Sequence, residues 1–277
     1  MRIDVLGCRG STPATGAAFT RYGGDTSSVA VSASSDASPS LILDAGTGLG
    51  RVRDRLDGHP FRGCLLLTHL HWDHTHGIPF APSLDHHDSE VDLWLPEQGV
   101  DPLQLLSRAI GPPHFPVTPD RLQGRWRFHT LEEGRHEIAG MEVMAREIPH
   151  KGGRAFGYRV TAGRSVAYLP DHAPGPPGSG RLGLGEVSDG VRELAENADV
   201  LLHDGQHPAA EWPEKAFLGH ASPEYAMDLA EQAGAGRLVL FHHDPSRTDD
   251  EIDDIVAGLD GGSLPVEAAY AGMRVEW

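Results

Sequence analysis

The chain has 277 residues, a length that suits either two small domains or one large layered domain. Charged residues make up 23% of the chain and apolar residues 39%, which excludes a disordered chain, and no apolar run reaches the roughly 18 residues that span a membrane. The net charge of −17 disfavours a long nucleic acid as ligand, because an acidic surface repels polyanions unless a local basic patch offsets it.

Short β-rich runs alternate with helical patterns along the chain. Runs such as CLLL and LVLF are apolar throughout, which is typical of strands in a sheet that is covered on both faces. The patterns predict strands at Arg2–Leu6, Ser28–Ser32, Leu41–Leu43, Cys64–Leu67, Val91–Leu95, Glu142–Ile148, Gly157–Val160, Ser165–Leu169, Val200–Leu202, Leu238–Phe241 and Met273–Glu276. They predict helices at Leu49–Leu56, Pro102–Ile110, Gly190–Asn197, Pro223–Ala233 and Asp249–Leu259.

The longest segment without a pattern is APGPPGSGRLGLGEVSDG, about residues 173–190. The patterns on its two sides match in type, so we interpret this segment as a surface insertion and not as a linker. The sequence contains no internal repeat at a fixed period. We therefore predict a single domain over residues 1–277.

Histidine is abundant in this chain and cysteine is scarce, with 17 histidines and two cysteines. Cys8 and Cys64 lie far apart without CxxC spacing, which suits apolar packing in a reducing compartment. The N-terminal segment MRIDVLGCRG turns polar too early for a signal peptide, so we expect a cytoplasmic protein without membrane attachment. Any metal ion would be held by imidazole and carboxylate groups.

The segment LLLTHLHWDHTHG carries the strongest chemical signal. His69, His71, Asp73 and His74 stand where an apolar strand ends and a helix is expected to begin. Four such side chains are hard to place in a core, since each buried polar group without a partner costs roughly 1–3 kcal/mol. They are therefore predicted to be metal ligands, whereas His76 is expected on the helix and outside the site.

HxHxDH at a strand end resembles the signature of the metallo-β-lactamase superfamily. Later segments are similar to that family in their order: EIPHKGG, SVAYLPDH and RLVLFHHDP end strands with His150, Asp171 and His242. The resemblance covers about residues 1–250 and implies an α/β fold, the four-layer αββα sandwich. It also implies two divalent metal ions as cofactors, with zinc favoured over manganese or iron.

The ligands that the resemblance implies are His69, His71 and His150 for one ion, Asp73, His74 and His242 for the other, and Asp171 as a bridge. His243 is the alternative to His242, which we prefer as the first residue past the apolar strand. Two ions roughly 3.5–4 Å apart can share a hydroxide and bind a phosphoryl oxygen.

Two further similarities indicate the phosphodiesterase branch, which includes the tRNA 3′-processing ribonuclease and cyclic-phosphate phosphodiesterases. The opening LGCRGSTPATG with RYGGDTSSVAV is similar to that branch, as are DVLLHDGQ and LGHAS. By resemblance, His220 contacts the scissile phosphate or the leaving oxygen and Asp204 orients His220. Asp204 replaces the longer Glu of that branch and shortens the reach by one methylene. The predicted catalytic residues are Asp73, His220 and Asp204.

The predicted function is that of a binuclear metal-dependent phosphodiesterase acting on a small nucleotide or cyclic-phosphate diester through a metal-bound hydroxide. One alternative is an endonuclease for tRNA or RNA 3′ ends, for which a homodimer could assemble a basic cleft. A second alternative is a carbonyl hydrolase for a lactone, thioester or β-lactam. A non-catalytic metal-holding scaffold is disfavoured because no ligand is missing.

Two motifs are set aside. LILDAGTGLG imitates a dinucleotide loop, but its glycines are spaced GxGxG and not GxGxxG. Asp44 is instead expected to bind backbone amides behind the metal edge. The sequence has no GxSxG, so a serine nucleophile is not supported.

Overall fold

The computed structural model describes residues 1–259 and 262–277. Its strands are β1 (Arg2–Gly7), β2 (Ser28–Ser32), β3 (Leu41–Leu43), β4 (Arg62–Leu66), β5 (Glu90–Pro96), β6 (Arg125–Leu131), β7 (Gly134–Ile138), β8 (Met141–Ile148), β9 (Ala155–Ala162), β10 (Arg164–Leu169), β11 (Val200–Asp204), β12 (Leu238–Phe241), β13 (Val266–Ala268) and β14 (Arg274–Glu276). Its α-helices are α1 (Val52–Arg55), α2 (Pro102–Ser107), α3 (Asp189–Ala195), α4 (Trp212–Lys215), α5 (Pro223–Ala233) and α6 (Asp249–Leu259).

The strands form two mixed sheets of seven strands each, as far as the described ranges extend. The first sheet has the order β14-β1-β2-β3-β4-β5-β6, and the second has the order β13-β12-β11-β10-β9-β8-β7. Strands β3 to β6 are parallel neighbours in the first sheet, and β10 to β13 are parallel neighbours in the second. The carboxyl ends of each parallel group therefore meet at one edge of their sheet, where loops gather functional side chains.

Three apolar clusters define the layers. Side chains of both sheets, among them Leu66 and Phe241, form the core between the sheets. Leu229 of α5 packs with other residues on the outer face of the second sheet, and Val52 of α1 does so on the outer face of the first. Two sheets with helices on both outer faces make up the αββα sandwich, so the predicted fold class is confirmed.

The sequence missed the edge strands β6, β7 and β13 and the short helix α4. In β6, RWRFHTL, charged and apolar residues are mixed, because this edge strand pairs its arginines with acids of β5. Two predicted helices are shorter than expected. The segment Leu49–Leu56 is a 3₁₀ turn followed by α1, and the helix that begins at Pro102 ends at Ser107.

The proposed insertion has neither helix nor strand from residue 173 to 188, and α3 begins at Asp189. Arg181 Nε donates a hydrogen bond to Asp228 of α5 at 2.6 Å, and Leu184 and Val187 pack on the cluster outside the second sheet. The segment is thus attached to the surface of that sheet. No helix in the described ranges is long and apolar enough to cross a membrane.

Candidate metal centre

The candidate ligands lie just beyond the carboxyl ends of strands in both sheets. His69 and His71 follow β4, His150 follows β8, Asp171 follows β10 and His242 follows β12. His242 has a φ of 59°, in the left-handed region that β-strand ends rarely use, and this turn carries its ring to the sheet edge. The two sheets therefore bring together residues that are up to 173 positions apart in the chain.

The donor atoms form two adjacent groups. The first group is His69, His71 and His150, and the second is Asp73, His74, Asp171 and His242; within each group the donor atoms all lie within 4.8 Å of one another. These are the two sets that the family resemblance implies, except that Asp171 was expected to bridge them. The structure thus assembles all seven candidate ligands at one edge.

Asp171 lies between the two groups. Its Oδ2 is 2.8 Å from His74 Nε2, and its Oδ1 is 3.3 Å from His242 Nε2 and 3.6 Å from His150 Nε2. One carboxylate oxygen therefore faces histidines of both groups. This is the arrangement that a bridging carboxylate requires.

Three buried atoms of the cluster have no hydrogen-bond partner in the described structure: His69 Nε2, His74 Nε2 and Asp171 Oδ2. His74 Nε2 and Asp171 Oδ2 are 2.8 Å apart but do not have the geometry of a hydrogen bond. Two ligand atoms that point toward the same metal ion have such an arrangement. Leaving buried polar atoms unpartnered costs roughly 1–3 kcal/mol each. Imidazole nitrogen and carboxylate oxygen also suit zinc, manganese and iron, so the residues fit a divalent ion.

The opposite ring nitrogen of several histidines is held by an outer partner. His74 Nδ1 lies 2.8 Å from Asp44 Oδ2, and His69 Nδ1 lies 3.0 Å from Thr68 Oγ1, which itself donates to Asp44. His150 Nδ1 is 2.9 Å from the carbonyl oxygen of Gly219. With the proton held on Nδ1, each Nε2 keeps its lone pair free for a metal ion.

Asp44 is the centre of this outer network. Fully buried, it accepts hydrogen bonds from the Thr68 amide at 2.7 Å and from the Tyr168 hydroxyl at 3.0 Å, besides its contact with His74. The expected role of Asp44 behind the metal edge, as an acceptor for a backbone amide, is confirmed. Its own φ of 59° places the carboxylate beneath the cluster.

Asp44→Ala is expected to weaken metal binding by about 10–100-fold, because His74 loses the partner that fixes its ring and tautomer. Competition with a chromogenic chelator would measure the affinity. Asp54→Ala is the control, since Asp54 is an exposed acid on α1, a helix on the outer face of the first sheet. Equal metal affinity in the Asp44 and Asp54 variants would contradict this role.

His220 and Asp204 lie against the cluster. His220 Nδ1 is 2.9 Å from Asp204 Oδ2, and its ring stacks on His242 with centroids 4.9 Å apart and planes 20° from parallel. Backbone amides of His172 and Gln206 also donate to Asp204, at 3.2 and 3.0 Å, so this carboxylate is fixed. The shorter acid in place of Glu therefore still reaches the histidine.

The structure brings His242, and not His243, to the cluster. His242 Nε2 lies 3.1 Å from Asp73 Oδ2, whereas His243 Nε2 donates to the carbonyl oxygen of Ala269 at 2.9 Å. His243 is thus directed back toward the strand edge. The preference for His242 over His243 agrees with this geometry.

The sequence missed two residues that complete the cluster. Gln206 places its side-chain amide 3.4 Å from His242 Nδ1, and the amide of Ser11 donates to Asp73 Oδ2 at 2.7 Å. Gly10 makes this approach feasible, because a Cβ there would lie 2.4 Å from the His242 ring. The similarity of the opening loop and of DVLLHDGQ to the phosphodiesterase branch pointed to these two segments but not to these residues.

One expectation about the motif is wrong. Trp72–His74 forms a single 3₁₀ turn, so no α-helix follows the histidines and His76 does not lie on one. The backbone groups that a helix would use bond Ala45 instead. The Gly77 amide donates to the Ala45 carbonyl at 2.7 Å, and the His74 carbonyl accepts from the Ala45 amide at 2.8 Å. His76 stands exposed and stacks on Trp72.

Comparison with known proteins agrees with this geometry. The model of the β-lactamase superfamily domain matches residues 36–243, which include all seven candidate ligands. The chain belongs to this superfamily. The match confirms the predicted class of a metal-dependent hydrolase, and with the two donor groups it supports the expected divalent metal cofactors.

Relatives within the superfamily are distant. A protein named ribonuclease Z from Natronomonas pharaonis is 26% identical, over 93% of this chain and 94% of the relative. The superfamily protein YhfI from Bacillus subtilis has a TM-score of 0.69 at 19% identity, covering 99% of this chain and 98% of the other. The short form of human tRNase Z has a TM-score of 0.64 at 19% identity, covering 99% and 98%. At such identities the two structures show the shared fold alone.

The pKa shifts at the centre favour the binding of a cation. Burial lowers the pKa of His69, His71 and His150, so these rings are neutral and able to bind a cation. Burial would raise the pKa of Asp171, but His242, His74 and His69 hold it well below its usual range. Burial would also lower the pKa of His220, yet Asp204 raises it to about 9.

His207, whose ring lies beside that of His220, makes the stability of the fold depend on pH. Burial lowers the pKa of His207 to about 4 against the charges of Asp204 and Asp244, and neither ring nitrogen has a hydrogen-bond partner in the described structure. The unfolded chain takes up this proton near pH 6.5, so stability is full above that pH and falls as pH drops toward 4. The loss should reach up to about 3 kcal/mol.

His207→Leu should remove this acid sensitivity. Chemical denaturation between pH 7 and pH 4.5, in identical buffers, should show the variant gaining stability over the wild type as pH falls. His59→Leu, at an exposed histidine, serves as the control. Parallel pH profiles for the wild type and His207→Leu would contradict the expectation.

Proposed function

We propose that this protein is a binuclear metal-dependent phosphodiesterase whose substrate is a small nucleotide or cyclic-phosphate diester. In this proposal His69, His71 and His150 bind one ion, Asp73, His74 and His242 bind the other, and Asp171 bridges them. Two divalent ions, when bound, supply Lewis acidity and an activated water for hydrolysis. The convergence of seven donor atoms in two groups supports this assignment.

The contact between His220 and Asp204 is the observation that carries the phosphodiesterase assignment. His220 lines the cleft over the cluster together with Asp73 and Asp171, and Asp204 accepts from its Nδ1. The other nitrogen, Nε2, has no hydrogen-bond partner in the described part of the chain. The leaving group of a phosphodiester departs as an alkoxide that needs a proton or a hydrogen bond. Acyl hydrolysis at a metal centre does not require the pair of His220 and Asp204.

The residues of the chain divide the work of such a reaction. Asp204 accepts from His220 Nδ1 and raises the pKa of the ring, so the ring is protonated and its Nε2–H can donate to a phosphoryl or leaving oxygen. Asp73 is anchored by the Ser11 amide and faces His242. The cleft of about 430 Å³ is large enough for a diester of modest size.

Charge favours a small substrate over RNA. The sequence has two clusters of arginines, residues 51, 53 and 55 and residues 121, 125 and 127, and five of these six are paired with acids in the structure. The pairs are Arg51 with Asp25, Arg55 with Asp4, Arg121 with Asp120, Arg125 with Glu90 and Arg127 with Asp92. Such pairs leave little positive field for a polyanion on a chain of net charge −17.

RNA 3′-end cleavage is the second candidate. It is favoured by the similarity to ribonuclease Z of N. pharaonis, which spans nearly the whole of both chains. A dimer with a shared basic cleft would be needed to bind tRNA. The two candidates differ in substrate, so a comparison of pre-tRNA with small diesters separates them.

The test is a substrate panel on protein reconstituted with zinc or manganese. It comprises bis-p-nitrophenyl phosphate, 2′,3′- and 3′,5′-cyclic nucleotides, pre-tRNA, nitrocefin and a thioester, with chelator-treated protein as the control. We expect metal-dependent turnover of the phosphate diesters and of a cyclic nucleotide. Hydrolysis of nitrocefin or the thioester alone would overturn the proposal, and cleavage of pre-tRNA alone would establish the second candidate.

A further inference from the structure

A second cavity adjoins the metal cleft. It has a volume of about 720 Å³, against about 430 Å³ for the cleft, and Leu70 and Trp72 line both. Its other walls come from the turn after the histidine motif and from the segment that follows α2, including Phe80, Arg108 and Phe115. Volumes of 300–1,000 Å³ are typical of sites for small organic ligands. The two lining residues that they share place this cavity directly beside the metal cleft.

Exposed aromatic side chains line the cavity. Trp72, between His71 and Asp73 in the chain, is 67% exposed, and Phe80 is 70% exposed. The Trp72 ring stacks on His76, with centroids 5.5 Å apart and planes 15° from parallel. Phe80 meets Phe115 edge to face with centroids 5.7 Å apart. Rings held in this way form a platform on which a flat group can stack.

The turn that carries the platform is fixed by hydrogen bonds. The His76 amide donates to the Trp72 carbonyl at 2.8 Å, and Thr75 Oγ1 donates to the His71 carbonyl at 3.0 Å. Gly77 ties the end of the turn to Ala45 through a bond of 2.7 Å. The exposed ring of Trp72 is thus held in place before any ligand binds, which lowers the entropy cost of stacking.

The charge of the cavity differs from that of the chain. Among the residues that the structure describes, no aspartate or glutamate lines it, whereas Arg108 and the imidazoles of His76 and His114 do. Arg108 makes no ion pair within the described residues. Thr47 and Gln98 add hydrogen-bonding groups to an otherwise apolar wall. Such a lining suits a flat, electron-rich ring with polar edges that is attached to a phosphate.

Building on the proposed phosphodiesterase function, we propose that this cavity is a subsite for a nucleobase adjacent to the scissile phosphate, with Trp72 as its stacking platform. The subsite makes the enzyme prefer nucleoside diesters over simple alkyl diesters. Stacking of a base on one aromatic side chain changes affinity by about tenfold.

Two substrates with the same leaving group test the preference. Thymidine 5′-(p-nitrophenyl phosphate) and methyl p-nitrophenyl phosphate differ in the nucleoside alone. Trp72→Ala should raise KM for the thymidine ester about tenfold and leave KM for the methyl ester within about twofold, whereas Trp72→Phe should retain most of the preference. Trp277→Ala, at another exposed tryptophan, is the control and should change neither value. An equal rise for both esters in Trp72→Ala would overturn the subsite.

Binding of products separates this inference from the proposed function. Calorimetric titration of the metal-loaded protein with adenosine 5′-monophosphate and with ribose 5-phosphate should show the adenine compound binding at least about tenfold more tightly. Trp72→Ala should abolish that difference at unchanged metal content, and Phe80→Ala, away from the ligands, should reduce it. If this pattern holds without diester hydrolysis, the subsite stands and the proposed function fails. If diesters are hydrolysed but the two compounds bind alike, the subsite is wrong and the function stands.

Discussion

Asp171→Ala should leave at most one metal ion bound per chain and should lower the rate of diester hydrolysis by more than about 100-fold. This factor exceeds the upper end of what an outer-shell partner costs, because here a ligand itself is lost. Asp171 Oδ1 faces His150 of the first donor group and His242 of the second. Without this carboxylate, the histidines of the two groups would hold two dications with one fewer negative charge between them.

Elemental analysis after dialysis would measure the ions per chain, and the rate on bis-p-nitrophenyl phosphate would measure the activity. Asp4→Ala is the matched control, because Asp4 is a fully buried aspartate that pairs with arginines away from the centre. This control should lose stability but keep its metal content. Two ions and wild-type turnover in Asp171→Ala would refute the bridging assignment.

Much of the fold could be predicted because single strands carry strong local signals. Leu238–Phe241 is apolar throughout and is an interior strand of a covered sheet, and Pro223–Ala233 follows Ser222, whose side chain caps the helix at the Tyr225 amide. The edge strand β6 escaped prediction for the opposite reason. Its pattern follows contacts with acids of β5, which lie 35 residues earlier in the chain.

The residues that meet at the cluster could also be predicted, the first four from their spacing after one strand and the later three from the resemblance to the superfamily. The supporting contacts could not. Gln206 and Ser11 meet the cluster through loops of opposite halves of the chain, and Gly10 is needed there because the side chains of His242 and Gln206 pack on it. The 3₁₀ turn after His71 has the same origin. Its backbone bonds Ala45, which nothing in the motif itself reveals.

His220→Ala should leave both ions bound while turnover of a cyclic nucleotide falls by about 10²–10⁴-fold, the range expected for loss of a general acid. The imidazole is held by Asp204 at 2.9 Å and is not among the seven proposed ligands. On bis-p-nitrophenyl phosphate the loss should be smaller, since p-nitrophenolate leaves without a proton. A ring that merely packs on His242 would instead lower both rates alike and reduce the metal content.

Asp204→Asn should give a weaker form of the same defect, because Asp204 acts on the substrate only through the ring that it orients. The two residues form one unit, so the double variant should be little slower than His220→Ala alone. His59→Ala, at an exposed histidine, should behave as the wild type on both substrates. Rates on the cyclic nucleotide, metal content and the midpoint of thermal unfolding would be measured for each variant. Full activity of His220→Ala with two ions bound would remove the main support for phosphodiester chemistry and favour the carbonyl-hydrolase alternative.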